Sequence, residues 1–119
     1  MKNKINLNPL RMIRISKDLT REEMAEYFLV TPAYIGAIES NKKEMTTRTL
    51  KSGLHYLNIT LDEYESLRDF GDELLQTELS DDKKYTYMLI KTLGIVEKSL
   101  KEETEQYLEK YYYKNGRAR

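Results

Sequence analysis

Cysteine and tryptophan are absent from this chain of 119 residues, and His55 is its only histidine. Without cysteine there is no disulfide bond and no thiolate metal site, and one imidazole does not make a conventional zinc centre. The sequence therefore predicts no metal and no cofactor, and the lack of disulfides fits a reducing cytoplasm. No apolar run approaches the roughly 20 residues of a membrane helix. The N-terminal MKNKINLN also lacks the apolar centre of a secretion signal.

Residues that break helices are few, with proline only at positions 9 and 32 and five glycines in all. The alternating β-branched pattern of strands is also missing, whereas apolar residues recur at intervals of three and four. This periodicity predicts an all-α protein. We expect five helices in an N-terminal domain of residues 1–68. An acidic joint over residues 69–82 should then lead into a long helix of the C-terminal region, residues 69–119.

Residues that cap helix N-termini mark where each predicted helix begins. Asn8 precedes Pro9, a pair typical of an N-cap followed by the first helical residue. Thr20 and Thr60 each stand three residues before a glutamate, which is the spacing of a capping box. The remaining caps are expected at Thr31, at Thr46 or Thr47, and at Ser80 or Asp81.

Charge is balanced over the whole chain but unevenly distributed along it. Twenty Lys and Arg residues face twenty Asp and Glu residues. Residues 1–60 hold ten basic and six acidic residues (net +4), residues 61–82 hold one and nine (net −8), and residues 83–119 hold nine and five (net +4). Because only the local field acts at a binding face, the basic N-terminal part remains compatible with nucleic-acid binding.

The strongest local signal is DLTREEMAEYFLVTPAYIGAIESNKK, residues 18–43. It predicts a helix over residues 21–28 and a second one that follows Thr31, joined by a turn of three or four residues. Small and apolar residues suited to packing the two helices together are Ala25, Val30, Ile35 and Ile38. Such a unit presents the N-terminus of its second helix to a groove of DNA.

With these residues the chain resembles the Cro/cI repressor-like (XRE-type) helix-turn-helix family over about residues 9–68. The matching groups are Ile13-Arg14, Leu19-Thr20, Glu23-Met24-Ala25, Val30-Thr31, Tyr34-Ile35, Ile38-Glu39, Lys42-Lys43 and Thr49-Leu50. The resemblance implies a five-helix repressor-like domain that binds double-stranded DNA, followed here by a helical, partly coiled-coil-like extension. It also implies a structural pair between an arginine of the first helix and a glutamate of the third, here Arg14 and Glu39.

The resemblance also indicates which positions contact DNA. The family's base-reading positions match Pro32, Ala33 and Ala37, with Gly36 beside them, and Arg21 stands where the family usually has a phosphate-contacting glutamine. None of the four small residues can form the bidentate bonds to bases that are worth about 1–3 kcal/mol each. Direct reading of bases by this helix is therefore expected to be weak.

Other contacts must then supply most of the affinity for DNA. Thymine methyl groups, water and DNA shape remain available for sequence readout, and Thr31 and Tyr34 add hydroxyl donors. Lys42, Lys43 and Arg48 are expected to contact phosphates, together with Arg21 and the amides at the helix N-terminus. Because phosphate contacts release counterions, binding should weaken steeply as salt rises.

The long C-terminal helix carries a partial heptad seam. Its apolar residues, at intervals of 4, 3, 4, 7 and 4, are Leu89, Leu93, Val96, Leu100, Tyr107 and Tyr111. Specific operators are normally bound by dimers whose recognition helices lie one DNA turn apart. We therefore expect the seam to join two chains. The alternative is that this helix folds back onto the segment around Leu74, Leu75 and Leu79.

Together these features favour a small sequence-specific transcriptional regulator, a dimeric repressor of phage, plasmid or low-GC bacterial type. No nucleophile–base pair, glycine-rich phosphate loop or cluster of metal ligands stands in the sequence, so an enzyme is not expected. The alternative is a protein-interaction module on the same fold, such as an antirepressor, inhibitor or assembly factor. The zero net charge favours that alternative, whereas the basic residues around the second helix of the unit favour DNA. A regulatory protein partner is compatible with both, and no small-molecule substrate or membrane partner is expected.

Overall fold

The computed structural model describes residues 5–112, and their side chains as far as residue 110. Its six helices are α1 (Pro9–Ser16), α2 (Arg21–Phe28), α3 (Pro32–Glu39), α4 (Thr47–Tyr56), α5 (Leu61–Gln76) and α6 (Asp81–Tyr107). A π-helical turn, Leu108–Tyr112, continues α6. No strand occurs between residues 5 and 112, and the predicted all-α class is confirmed.

Every helix begins after a residue whose side chain caps it. The caps that accept a hydrogen bond from the backbone N–H three residues further on are Asn8, Thr31, Thr46 and Ser80. Thr20 and Thr60 form complete capping boxes with Glu23 and Glu63. Because a cap stabilises its helix by about 1 kcal/mol, the predicted starts of the helices coincide with the observed ones.

The acidic stretch 69–82 is not a joint over its whole length. Residues 69–76 continue α5, and only residues 77–80 separate α5 from α6. Gly71 does not interrupt the helix, because it is packed against Leu7 and Met88, and Leu74 is buried too. The prediction of a joint is therefore wrong for residues 69–76, where burial of one side keeps the acidic segment helical.

The core collects apolar residues from all six helices. Fully buried members, one or more from each helix, are Leu10, Ile13, Met24, Ile35, Leu54, Leu67 and Met88. Ala25 and Ile38 are also buried where α2 and α3 pack together, and Val30 is half-buried in the turn between them. The N-terminal helices and α6 therefore share one core.

The inner side of α6 packs along α1 and α5 of its own chain. Its buried residues are Met88, Thr92, Val96 and Ser99. The Ser99 hydroxyl donates to the carbonyl of Leu57, the C-cap of α4, at 2.7 Å. Lys98 Nζ donates to the Glu63 carboxylate at 2.9 Å. Burial alone would raise the pKa of Glu63, but hydrogen bonds from the Thr60 backbone and from Lys98 hold it below its usual value.

The outer side of α6 leaves large apolar side chains in solvent. These are Tyr87, Ile90, Leu93, Leu100 and Tyr107, each between 42% and 62% exposed. Among the described helices, none combines the length and the apolar character that a membrane crossing needs. The exposed apolar side of α6 is therefore a surface feature of a helix that otherwise packs on its own chain.

The six residues of the predicted heptad seam do not share one side of α6. Leu93, Leu100 and Tyr107 lie on the outer side, whereas Val96 is 2% exposed and Leu89 packs against the core. Leu89 and Val96 consequently do not belong to an outward seam. The heptad positions run along the border between the buried and the exposed sides of α6, so that some of them face the core. The side chain of the sixth residue, Tyr111, lies outside the described residues.

Gly53, on α4, is required by the close approach of Phe28 from α2. A Cβ added at Gly53 would lie 2.0 Å from the nearest atom of the Phe28 ring. We expect Gly53→Ala to lower the free energy of unfolding by about 1–3 kcal/mol, because the added methyl group forces the ring out of its place. Urea denaturation followed by circular dichroism measures the change.

Gly94→Ala is the matched control for this substitution. Gly94 lies in the middle of α6, and a Cβ built there meets no atom within 4 Å apart from its chain neighbours and the nearby backbone of α6. Since alanine favours the helix over glycine, this variant should gain up to about 1 kcal/mol. Equal effects at the two positions would contradict the close packing of Phe28 on α4.

Candidate nucleic-acid interface

The N-terminal turn of α3 is open to solvent. Thr31, Pro32 and Ala33 are exposed, and α6 packs on α1 and α5 rather than over this end. Thr31 accepts the N–H of Tyr34 on its hydroxyl (3.1 Å) and the N–H of Ile35 on its carbonyl (3.1 Å). Because proline has no N–H, only the Ala33 amide of the first turn is left for a ligand. Within α3, the expected amide contacts to phosphate thus reduce to that of Ala33.

Small residues and one tyrosine form the outward side of α3. Ala33 is exposed, and Tyr34, Gly36 and Ala37 are half-buried. Lys43 Nζ lies 5.7 Å from the centre of the Tyr34 ring, which is a cation–π distance. None of the four carries an amide, carboxylate or guanidinium group. What α3 itself offers to base edges is therefore methyl groups, a tyrosine and close backbone approach.

Cations flank α3 on its C-terminal side. Lys42, Lys43 and Arg48 are all exposed, and Glu44 is the one acid between residues 40 and 48. Within the described part of the chain, none of the three cations forms an ion pair. Their charges are therefore available to an anionic ligand, and Lys43 lies by the ring of Tyr34, a residue of the first turn of α3.

A buried carboxylate, Glu39, holds α3 in place. The side chain is 1% exposed and accepts two hydrogen bonds from Arg14, Nε to Oε2 at 2.6 Å and Nη2 to Oε1 at 3.1 Å. Arg14 also donates to the Leu19 carbonyl at 3.0 Å. These two side chains form the pair that the resemblance implies, and the bidentate geometry fixes α3 against α1.

Arg21 reaches the same carboxylate from the N-terminus of α2. Its Nε lies 3.3 Å from Oε1 of Glu39, while its side chain stays 53% exposed. The arginine passes beside Gly36, where an added Cβ would lie 3.9 Å from Nε. Sequence reasoning expected Arg21 only at a phosphate and missed this second contact. In the sequence, the one indication of this contact was an arginine at position 21 together with a glycine at position 36.

Two asparagines tie the C-terminal end of α3 to the segment before α1. Asn8 Nδ2 donates to the Ile38 carbonyl (3.0 Å) and to Asn41 Oδ1 (2.9 Å). Asn6 Nδ2 donates to the Glu39 carbonyl at 2.9 Å. The sequence indicated Asn8 only as a helix cap, because bonds across thirty residues leave no local pattern. The C-terminal end of α3 is therefore held by side chains from other segments.

A comparison with known protein families matches residues 10–64 to a family model described as helix-turn-helix. The matched stretch runs from α1 into α5 and confirms the resemblance to the Cro/cI repressor-like (XRE-type) family. This family is one of DNA-binding regulatory domains and not one of enzymes. No curated protein and no solved structure matches the chain.

Removal of the Glu39 carboxylate tests its structural role. We expect Glu39→Ala to lower the free energy of unfolding by about 3–5 kcal/mol, because the largely buried Arg14 guanidinium then has no carboxylate partner. Glu22→Ala is the control, since Glu22 is exposed on α2 and forms no ion pair within the described residues. Urea denaturation should show a change below about 1 kcal/mol for the control. Equal stability of the two variants would disprove the role assigned to Glu39.

Proposed function

Since residues 10–64 are a helix-turn-helix domain of the DNA-binding regulatory type, we propose that the protein is a sequence-specific transcriptional repressor that binds its operator as a dimer. The observation that carries the proposal is the open N-terminal turn of α3 together with the exposed cations Lys42, Lys43 and Arg48, which follow α3 in the sequence. A repressor needs only to occupy promoter DNA, which such a dimer does. The Lys-, Asn-, Ile- and Tyr-rich composition supports a phage, plasmid or low-GC bacterial origin, and the lack of cysteine fits a cytoplasmic location.

In the proposed complex, α3 enters the major groove by its N-terminal turn. Pro32 and Ala33 lie closest to the bases, and the small side chains let the helix backbone approach them. Lys42, Lys43 and Arg48 contact phosphates at the edge of the groove. Because these contacts carry no sequence information, they set affinity and salt dependence while the groove contacts set preference.

The outer side of α6 is the proposed dimer interface. Ile90, Leu93, Leu100 and Tyr107 lie at intervals of 3, 7 and 7 residues, as in a heptad repeat, and all are exposed. Two copies packed through this side would cover apolar surface that the single chain leaves in water. The interface uses Leu93, Leu100 and Tyr107 of the original seam and replaces Leu89 and Val96 by Ile90.

Loss of two lysines should weaken DNA binding without changing sequence preference. For Lys42→Ala with Lys43→Ala we expect a uniform loss of affinity across duplexes and a salt slope shallower by about 2, roughly one unit for each lost phosphate contact. Fluorescence anisotropy with duplex pools at two salt concentrations measures both. Lys83→Ala with Lys84→Ala, a neighbouring pair in the first turn of α6, removes the same charge and should leave both quantities unchanged.

A second variant tests the docking of α3 directly. Ala33→Glu places a carboxylate on the exposed first turn and should abolish DNA binding by repulsion while the domain remains folded. A folded Ala33→Glu protein that still binds would contradict the proposed docking. Wild-type binding that is insensitive to salt, or that never exceeds background, would instead support the protein-interaction module.

Dimerisation through α6 is tested by Leu93→Glu. A charge at the centre of the interface should weaken association by about 30-fold, the loss of about 2 kcal/mol typical of an interface hot spot. Lys91→Glu is the control, because Lys91 is also exposed on α6 but lies about 160° around the helix from Leu93. Gel filtration with light scattering reads the result. An unchanged dimer in Leu93→Glu would place the interface elsewhere.

A further inference from the structure

We infer that Arg21, a residue of α2, reads a guanine in the major groove and so supplies the direct base contact that α3 lacks. This inference rests on the proposed DNA-binding function and goes beyond it, because it names one side chain and one base. It also changes the role of Arg21 from a phosphate contact to a determinant of sequence specificity. Three features of the structure carry it: a fixed guanidinium, unoccupied donors, and space across α3.

The guanidinium of Arg21 is anchored on a buried carboxylate that is itself held by Arg14. Its Nε lies 3.3 Å from Glu39 Oε1, and Glu39 is held by Arg14 at 2.6 and 3.1 Å. The carbonyl of Glu39 is in turn held by Asn6 at 2.9 Å. An arginine fixed through Nε has lost most of its rotamer freedom before a ligand arrives, which is the condition for tight and selective binding.

The terminal nitrogens of Arg21 remain available to a ligand. The side chain is 53% exposed, and Nε makes its only hydrogen bond and ion pair to another described residue. The cluster of Arg14, Arg21 and Glu39 keeps one net positive charge. A guanidinium in this state presents two parallel N–H donors, the arrangement that matches the O6 and N7 acceptors of guanine.

Small residues on α3 provide the space that this contact needs. The Nε of Arg21 lies beside Gly36 of α3, at 3.9 Å from the position of an added Cβ. Ala33 and Ala37, one turn before and one residue after, are short as well. The outward side of α3 has no side chain that can read bases, and its small residues therefore leave space for the guanidinium of Arg21 from α2. A longer side chain at position 36 would occupy the same volume as the arginine.

Base reading and phosphate contact predict different outcomes for a conservative substitution. Lysine keeps the positive charge but has no planar pair of donors, so it can contact a phosphate but cannot make the bidentate bond to guanine. If Arg21 reads a base, Arg21→Lys should lose about 10- to 100-fold discrimination at one G·C pair per half-site and little elsewhere. If Arg21 contacts only phosphate, preference at every position should survive.

The experiment selects duplexes from a random pool with the full-length wild type and with Arg21→Lys. Anisotropy titrations of single-base variants of the selected site follow. Arg48→Lys is the matched control, because it makes the same exchange at an exposed arginine assigned to a phosphate, and it should keep the wild-type preference throughout. Thermal denaturation verifies that both variants are folded.

Gly36→Leu tests the same contact without changing the arginine. It should displace Arg21 from its place on α3 and reduce discrimination at the same G·C pair. A wild-type protein that binds selectively, with a preference retained in both Arg21→Lys and Gly36→Leu, would overturn this inference alone. A uniform loss of affinity without loss of preference would do so as well. A folded wild type that binds no duplex would overturn the proposed function, and this inference with it.

Discussion

The buried carboxylate of Glu39 is the interaction on which the geometry of this protein depends. It accepts hydrogen bonds from Arg14 of α1 and Arg21 of α2, and its backbone carbonyl accepts one from Asn6. A carboxylate that is 1% exposed is tolerated only with its cations in place, so the three segments that supply these donors must assemble around it. The orientation of α3 is therefore set by charge pairing at its C-terminal end. Its N-terminal turn takes no part in this pairing and stays exposed.

The long helix α6 connects the core to the surface that we assign to a second chain. Its inner side covers α1 and α5, and Ser99 satisfies the carbonyl of Leu57 at the end of α4. Its outer side exposes Ile90, Leu93 and Leu100. Because an α-helix with side chains is only about 10–12 Å wide, a partner on the outer side lies one helix diameter from α1. Arg14 of α1 pairs with Glu39 of α3. In the proposed dimer, α6, α1 and this pair would therefore connect the interface to each α3 and set the distance between the two α3 helices.

Local signals in the sequence predicted most of the fold, and contacts between distant residues account for what it missed. Capping residues such as Thr20 and Thr60 act within four residues, so the helix starts could be read directly. Residues 69–76 are helical because Gly71 packs against Leu7, which is sixty-four positions away in the sequence. Composition alone indicated a joint at this place. At the site, the cations were evident from their residue types. The reach of Arg21 to Glu39 spans eighteen residues, and no periodicity predicts it.

The zero net charge of the chain reflects charge separation and does not argue against DNA. Cations stand beside α3, whereas the exposed acids Asp62, Asp69 and Glu73 lie on α5. Such an uneven distribution of charge would draw a duplex toward the cations beside α3. In the proposed complex, this steering would restrict the orientations in which the protein meets DNA, so that α3 would reach the groove first. Because α3 has few groups that can read bases, such orientation would favour the contact that we propose for Arg21.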